Sequence, residues 1–380
     1  MARWHVDPRL WVIYLDYGIV PCLGSMSKKQ IIIYGLLAAV FAILVYMQFR
    51  TWRNFDWDTF WSQTDQVNKR HIFHAIGLIY LAYVVRAFRW KIFLRPVRRQ
   101  ASWWGLVAPT LIGFAGLAIL GRPGELIRPY LISRKENLPF SSQLGVWAVE
   151  RIFDIGAFTL LLMIAVFIAR SPRELEYYGR FRTAGLILLG IVIGMIAIAL
   201  AISRNGEALA SWVERRFSHL AANLGKRIAL RVREFHRGLN TIDSAFSFLQ
   251  LVVVSVVMWC MIAVAYKEVT HSYGAEELEI PQTQVLLLMG SSMVGSMIQL
   301  PGVGGGSQLA TIATLEHVFD VPHELAASCG IMLWLVTFVA VIPLGLLLAH
   351  RERLSFRRLA AESREQEQVS VSSSPPPAST

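Results

Sequence analysis

Charged side chains are scarce in this sequence: Asp, Glu, Lys and Arg together make up 17% of its 380 residues. Soluble globular domains carry roughly 25% charged residues, so this composition argues against a soluble enzyme or binding domain. Hydrophobic residues make up 54% of the chain and fall in separate blocks. Most blocks approach the ~20 residues that span the hydrocarbon core, so the sequence predicts an integral membrane protein.

Cysteine is also rare. Cys22, Cys260 and Cys329 are far apart and form neither a metal-ligand spacing nor a disulfide framework. The sequence contains no Walker loop and no serine-nucleophile motif, which excludes an ATP-driven pump made of this chain alone. We therefore expect no metal, no cofactor and no enzymatic activity of its own.

The net charge of +11 would suggest a nucleic-acid partner in a soluble protein. Here the basic residues lie between apolar blocks, where they hold loops on the cytoplasmic side of the membrane. The predicted partners are therefore membrane lipids and not nucleic acid.

Loop charges predict how the apolar blocks are threaded. The loops 86–99 and 203–247 are strongly basic and are predicted to be cytoplasmic, whereas 267–283 is acidic and is predicted to be outside. These assignments agree only if segments 103–135 and 284–322 each enter the membrane and leave it on the same side. We therefore predict an all-α polytopic membrane protein with about six full spans, two re-entrant hairpins and both termini in the cytoplasm. The six predicted spans are 31–49, 72–94, 143–169, 183–202, 248–266 and 326–349.

Three segments flank or interrupt the predicted membrane domain at 31–350. Residues 1–30 form a leader with a predicted interfacial segment, and 351–380 form a proline-rich tail that is predicted to be disordered in the cytoplasm. The linker 203–247 alternates Arg with Leu, Phe and Ile, which predicts an amphipathic helix on the inner leaflet.

The two predicted hairpins resemble each other when the chain is shifted by 183 residues. At this shift Gly121 aligns with Gly304, Glu125 with Gln308 and Pro139 with Pro322. The repeat halves, at about 72–169 and 255–349, would cross the membrane in opposite directions, as in many transporters. Non-helical backbone cannot face lipid, so these glycine-rich tips predict a cavity.

Charged residues near the first hairpin are the main binding candidates, because an intramembrane charge costs at least ~2.5–3.5 kcal/mol. The alternative is that they are structural ion pairs that lock span 143–169 to the hairpin. The predicted substrate-binding residues are Arg122, Glu125, Arg128, Glu150, Arg151, Asp154, Gly304, Gly305, Gly306 and Gln308. Arg86 and Arg89 end a span beside Trp90, and they are predicted to reach outward to lipid headgroups.

Four motifs resemble a known family: "VVRAFRWKIFL" (84–94), "GRPGELIRPYLISRKENLPF" (121–140), "VERIFDIGA" (149–157) and "LPGVGGGSQLATIATLEHVFDVP" (300–322). They are similar to motifs of the lysylphosphatidylglycerol synthase transmembrane family, the flippase-like domain shared with the multiple peptide resistance factor. The resemblance covers roughly residues 30–350 and implies a bacterial or archaeal cytoplasmic-membrane protein. Some members flip aminoacylated phospholipids, and others are linked to hopanoid or isoprenoid-linked sugar metabolism.

The chain departs from this family pattern in two ways. It has Gln308 where members often carry Glu, and the soluble aminoacyl-transferase domain of the full-length synthases is not expected here. The predicted function is a lipid translocase that moves a phospholipid, an aminoacylated phospholipid or an isoprenoid-linked lipid between leaflets. The alternatives are an intramembrane lipid-modifying transferase and a membrane partner that recruits a separate lipid-modifying enzyme.

Overall fold

The structure is a computed structural model that describes residues 56–168, 172–218, 222–239, 242, 244–297, 299–300 and 304–352. The predicted leader, the predicted span 31–49 and nearly all of the predicted tail lie outside the described residues. Apart from two strands of two residues each, the described chain forms helices and connecting turns. The α-helices are α1 (Trp57–Asp65), α2 (Lys69–Leu94), α3 (Trp103–Leu120), α4 (Ile127–Lys135), α5 (Phe140–Ile168), α6 (Pro172–Ser218), α7 (Ala222–Leu239), α8 (Ala245–His271), α9 (Gln282–Gly295), α10 (Gly306–Val318), α11 (His323–Trp334) and α12 (Val341–Arg351).

Four helices of the described part are long and apolar enough to cross a membrane. They are α2, α3, α8 and the stretch His323–Arg351, which joins α11 to α12. α6 adds a shorter apolar stretch, Gly185–Ile198, while α5 carries three charged residues near its middle. The described part thus has helices of the kind that a membrane protein requires, and the count of six spans and two re-entrant hairpins stays a prediction.

The first predicted hairpin is a pair of antiparallel helices. α3 ends at Gly121, whose φ of 71° is a left-handed conformation that favours glycine, and a 3₁₀ turn (Arg122–Leu126) leads into α4. The returning chain packs tightly on α3, because a Cβ placed on Gly124 would collide with the carbonyl group of Gly116. The same close approach brings the backbone of Arg128 against Gly113.

The second predicted hairpin has the same plan with a different tip. α9 and α10 run antiparallel, and a Cβ on Gly295 would collide with the carbonyl group of Gly306. Between them, strand β1 (Gln299–Leu300) pairs with β2 (Gly304–Gly305), so this tip is a short β-hairpin that the sequence did not indicate. Gly305 has a φ of 107° and precedes α10 directly.

The two hairpins also end alike. Among the described residues, the non-glycine positions with positive φ are Asn137 and Asp320, at 54° and 53°. Each follows the returning helix of its hairpin and stands two residues before a proline, Pro139 or Pro322. The two positions are 183 residues apart, which is the shift at which the sequence motifs coincide.

The linker 203–247 forms two helices. Its first part continues α6, a helix of 47 residues that is about 70 Å long. α7 then returns beside α6, where Arg233 pairs with Glu207 at 3.0 Å and the His236 Nδ1 lies 3.1 Å from the carbonyl oxygen of Ile202. The predicted single amphipathic helix is therefore an antiparallel pair, because the helical sequence of α6 does not stop at the end of the apolar block.

The last span bends at a π-helical turn, Leu335–Val339, between α11 and α12. Two hydroxyl groups of α2 donate to carbonyl oxygens at this turn, Tyr80 to Ala340 at 2.6 Å and Tyr83 to Thr337 at 3.2 Å. α12 then packs against α3, with Gly345 facing Ala115. The apolar core beside these contacts joins α2, α5, α8, α9 and α11.

Candidate functional site

Two carboxylates on α5 form the centre of a buried charge cluster. Glu150 and Asp154 are one helical turn apart, and both are almost completely buried. Arg89 of α2 places its Nη2 atom 2.7 Å from an oxygen of each carboxylate, and Arg86 reaches Asp154 at 2.9 Å. Two arginines three residues apart on α2 thus meet two carboxylates four residues apart on α5.

The position of Arg86 and Arg89 corrects the sequence prediction. They were predicted to extend outward to lipid headgroups, but the structure leaves only 6% and 0% of their surface exposed. The Arg89 Nη1 also donates to the Ser255 hydroxyl at 2.9 Å. The carboxylates of a neighbouring helix hold both guanidinium groups inside the protein, so no outward extension is needed to satisfy them.

Arg128 enters the cluster from α4. Its two terminal nitrogens bind the two oxygens of Glu150, with Nη1 to Oε1 at 2.9 Å, so the pair is bidentate. Its guanidinium group also lies 5.1 Å from the ring centre of Trp90 and 5.2 Å from that of Phe114. Arg128 is buried, whereas Arg122, in the preceding 3₁₀ turn, is partly exposed and pairs with Glu125.

Arg151 completes the cluster at its accessible side. Its Nη2 atom lies 3.2 Å from Asp154, three residues later on α5, and 3.8 Å from Glu150. Its side chain keeps 31% of its surface exposed, whereas those of Glu150 and Arg89 keep none. Arg151 therefore contacts the buried carboxylates and is itself accessible from outside the cluster.

The tips of the two hairpins contact each other through Arg122. Its Nη1 atom binds Glu125 at 2.6 Å, and its Nη2 atom donates to the backbone carbonyl of Ser296 at 2.7 Å. In the second tip, the Gln308 side chain accepts a hydrogen bond from the Gly305 amide at 3.1 Å. Gln308 therefore caps the start of α10, and the described part of this tip offers mainly backbone at Gly304, Gly305 and Gly306.

A cavity of about 940 Å³ lies between the hairpins and helices α2, α5, α6 and α8. One part of its wall is charged, with Arg86, Arg122, Glu125, Arg151 and Asp154. The rest is mostly apolar, with Ile79, Phe158, Leu188, Met195, Trp259 and Met293 among its residues. Arg128 and Glu150 lie behind this wall. In the described residues, no group of His, Cys, Asp and Glu side chains could hold a metal ion.

Sequence reasoning missed the tyrosine and serine groups of this wall. Tyr83 and Tyr266 line the cavity, and the Tyr266 hydroxyl donates to Ser292 at 3.1 Å. A tyrosine inside an apolar block was the available signal, because a buried hydroxyl needs a hydrogen-bond partner.

Comparison with known proteins agrees with the sequence motifs. The family described as the lysylphosphatidylglycerol synthase TM region matches residues 32–345. The chain belongs to this family. It is 24% identical over 269 residues to a UPF0104 membrane protein of Methanothermobacter thermautotrophicus, a match that covers 69% of this chain and 77% of that protein. No solved structure matches this family member at a significant level.

Proposed function

We propose that this family member is a lipid translocase, which moves a lipid with a polar headgroup between the leaflets of a membrane. The observation that carries this proposal is the cavity of about 940 Å³, which has a charged wall at one side and apolar walls elsewhere. A lipid likewise has a polar part and an apolar part: its headgroup needs polar partners, while its tails are stable among apolar side chains. Family membership supports a lipid-related role.

We further propose that translocation occurs by alternating access between two inverted repeat halves. Each half contributes a hairpin whose two helices are interrupted at the tip, and a positive-φ residue, Asn137 or Asp320, follows each return helix. Broken helices that meet inside a membrane are typical of transporter binding sites. The contact of Arg122 with Ser296 supports a shared site at the two tips.

The location and partners follow from the same proposal. The protein would lie in the cytoplasmic membrane with both termini in the cytoplasm, and membrane lipids would be its ligands. It would carry out no covalent chemistry, since translocation needs a path for the headgroup and not a reactive group. A separate lipid-modifying enzyme could supply the lipid that it moves.

The experiment is a headgroup-resolved transport assay with purified full-length protein in proteoliposomes. Fluorescent short-chain phospholipids of different headgroups, placed in one leaflet, should reach the other faster than in protein-free vesicles. Asp154→Asn removes a charged group of the cavity wall and should slow transport, whereas Glu207→Gln, on the exposed surface of α6, should not. Transport equal to that of empty vesicles for every headgroup would contradict the proposal.

The same vesicles distinguish the alternative functions. A transferase would change the mass of a lipid, so lipid extracts should be compared by mass spectrometry before and after incubation. A partner that only recruits a synthase would neither move nor modify lipids by itself. Either result would replace the translocase proposal.

A further inference from the structure

Positive charge exceeds negative charge in the cluster beside the cavity. Five guanidinium groups share three carboxylates: Arg86, Arg89, Arg122, Arg128 and Arg151 with Glu125, Glu150 and Asp154. Arginine stays protonated in proteins, so every one of these groups is charged. Two positive charges in this network are therefore left without a carboxylate of their own.

Half of this excess lies inside the protein, where Arg86, Arg89 and Arg128 are buried with only two carboxylates, Glu150 and Asp154. Arg86 is eight residues before the end of α2, which places it about 12 Å from that end along the helix. Arg89 and Arg128 have 0% and 3% of their surface exposed, so water screens them poorly. A buried charge without a counter-charge is costly, so the balancing negative charge is expected from a bound ligand.

The accessible arginines show where this ligand would bind. Arg86, Arg122 and Arg151 line the cavity, and the side chains of Arg122 and Arg151 keep 44% and 31% of their surface exposed. The Arg151 Nε atom is buried and has no hydrogen-bond partner among the described residues. Guanidinium groups bind phosphate through paired N–H donors, and they suit this anion better than an ammonium group does.

We infer that the cavity binds a phosphate-ester anion that carries no compensating amine, such as the headgroup of an acidic phospholipid. This inference names the substrate class of the translocase proposed above and rests on that proposal. A zwitterionic headgroup brings no net negative charge, and an aminoacylated headgroup brings additional positive charge. Both leave the excess of the cluster unbalanced, so this member is expected to prefer acidic lipids over the lysylated lipid in the name of its family.

Binding to detergent-purified full-length protein tests this preference by native mass spectrometry. The probes are dioleoyl phosphatidic acid, dioleoyl phosphatidylglycerol, dioleoyl phosphatidylcholine and lysylphosphatidylglycerol. The two acidic lipids should bind at least about ten-fold more tightly than the other two, as expected for one additional charge-assisted hydrogen bond. Equal affinities, or tightest binding of lysylphosphatidylglycerol, would overturn the inference.

Arg151→Gln is the decisive variant. Without Arg151, Glu150 keeps Arg86, Arg89 and Arg128, and Asp154 keeps Arg86 and Arg89, so the fold should be retained. The preference for acidic lipids should fall about ten-fold. Arg151→Lys keeps the charge and should keep part of the preference, and Arg227→Gln, which removes an exposed charge on α7, should keep all of it. An unchanged preference in a folded Arg151→Gln protein would contradict the inference.

Soluble glycerol 3-phosphate identifies the source of the anion. If it does not displace the acidic lipids at equal concentration, the lipid is the ligand and the inference stands. If it displaces them, and the displacement is lost in Arg151→Gln, the anion site stands but a soluble phosphate ester becomes the ligand and the translocase proposal fails. Lipid transport without headgroup preference would instead support the translocase and overturn the anion site.

Discussion

The Arg122 guanidinium group, in the first hairpin, donates to the backbone carbonyl oxygen of Ser296, in the second, at an Nη2–O distance of 2.7 Å. The same group binds Glu125 through Nη1 at 2.6 Å. One side chain thus joins the two hairpins through residues that are 174 positions apart in sequence. A backbone carbonyl can only accept, so this contact requires a donor at position 122.

Exchanging the charges at the tip tests this contact. Arg122→Glu combined with Glu125→Arg keeps an ion pair but places a carboxylate against the Ser296 carbonyl. We expect lipid transport in proteoliposomes to fall at least about ten-fold, because a charge-assisted hydrogen bond is worth about 1.5–3 kcal/mol. Ser296→Ala removes the hydroxyl, with its contact to Arg122 at 3.3 Å and its bond to the Met293 carbonyl oxygen, but keeps the backbone carbonyl, so most of the transport should be retained. Full transport by the double variant would show that only the local ion pair matters.

Arg89→Ala tests whether the buried cluster stabilises the fold. The change leaves Glu150 and Asp154 with fewer partners in an apolar setting, so the free energy of unfolding should fall by about 3–5 kcal/mol. Arg99→Ala removes an arginine from the exposed turn after α2 and should cost less than about 0.5 kcal/mol. Both values are measurable by chemical denaturation in detergent micelles. Equal and small losses would support the outward orientation that the sequence predicted.

The close packing of the first hairpin makes one glycine difficult to replace. In Gly124→Ala the new Cβ would collide with the Gly116 carbonyl, and we expect a loss of about 1–3 kcal/mol in stability. Gly77 lies in α2 with open space where a new Cβ would stand, so Gly77→Ala should stabilise the protein by up to about 1 kcal/mol. Thermal midpoints in detergent that shift in the same direction for both variants would contradict the packing of this hairpin.

Cysteine labelling tests the predicted orientation in the membrane. After the native cysteines are removed, Glu277→Cys in the exposed acidic loop should react with an impermeant thiol reagent in intact cells. Glu207→Cys, exposed on α6, should react only after the cells are permeabilised. The physical reason is the loop charge, since basic loops stay in the cytoplasm. The reverse labelling pattern would invert the threading of the whole chain.

Hydropathy patterns predicted the long apolar helices, and the glycine motif predicted the break after α3. Gly121 ends α3 as the motif indicated, because glycine adopts positive φ without a steric penalty. The β-hairpin at Gln299–Gly305 was not predictable in the same way. Its strands have two residues each, which is too short for any alternation of apolar and polar side chains.

The partners of Arg86 and Arg89 could not be read from local sequence. A basic residue near the end of an apolar block commonly extends to the membrane surface, and α2 alone gives no reason to expect otherwise. Only the tertiary structure brings these arginines to their partners, since the carboxylates of α5 are more than 60 residues away in sequence. The signal that could have found them was the complementary spacing: two arginines three apart, and two carboxylates four apart in a later block.

The π-helical turn at Leu335–Val339 determines which face of α12 meets α3. Its widened hydrogen bond runs from the Ala340 amide to the Leu335 carbonyl at 2.8 Å, so the turn holds one residue more than an α-helical turn. Each residue of an α-helix advances about 100° around the axis, and the additional residue rotates all of α12 by that angle. Gly345 faces Ala115 as a result. A single inserted residue therefore sets the azimuth of α12 relative to α11.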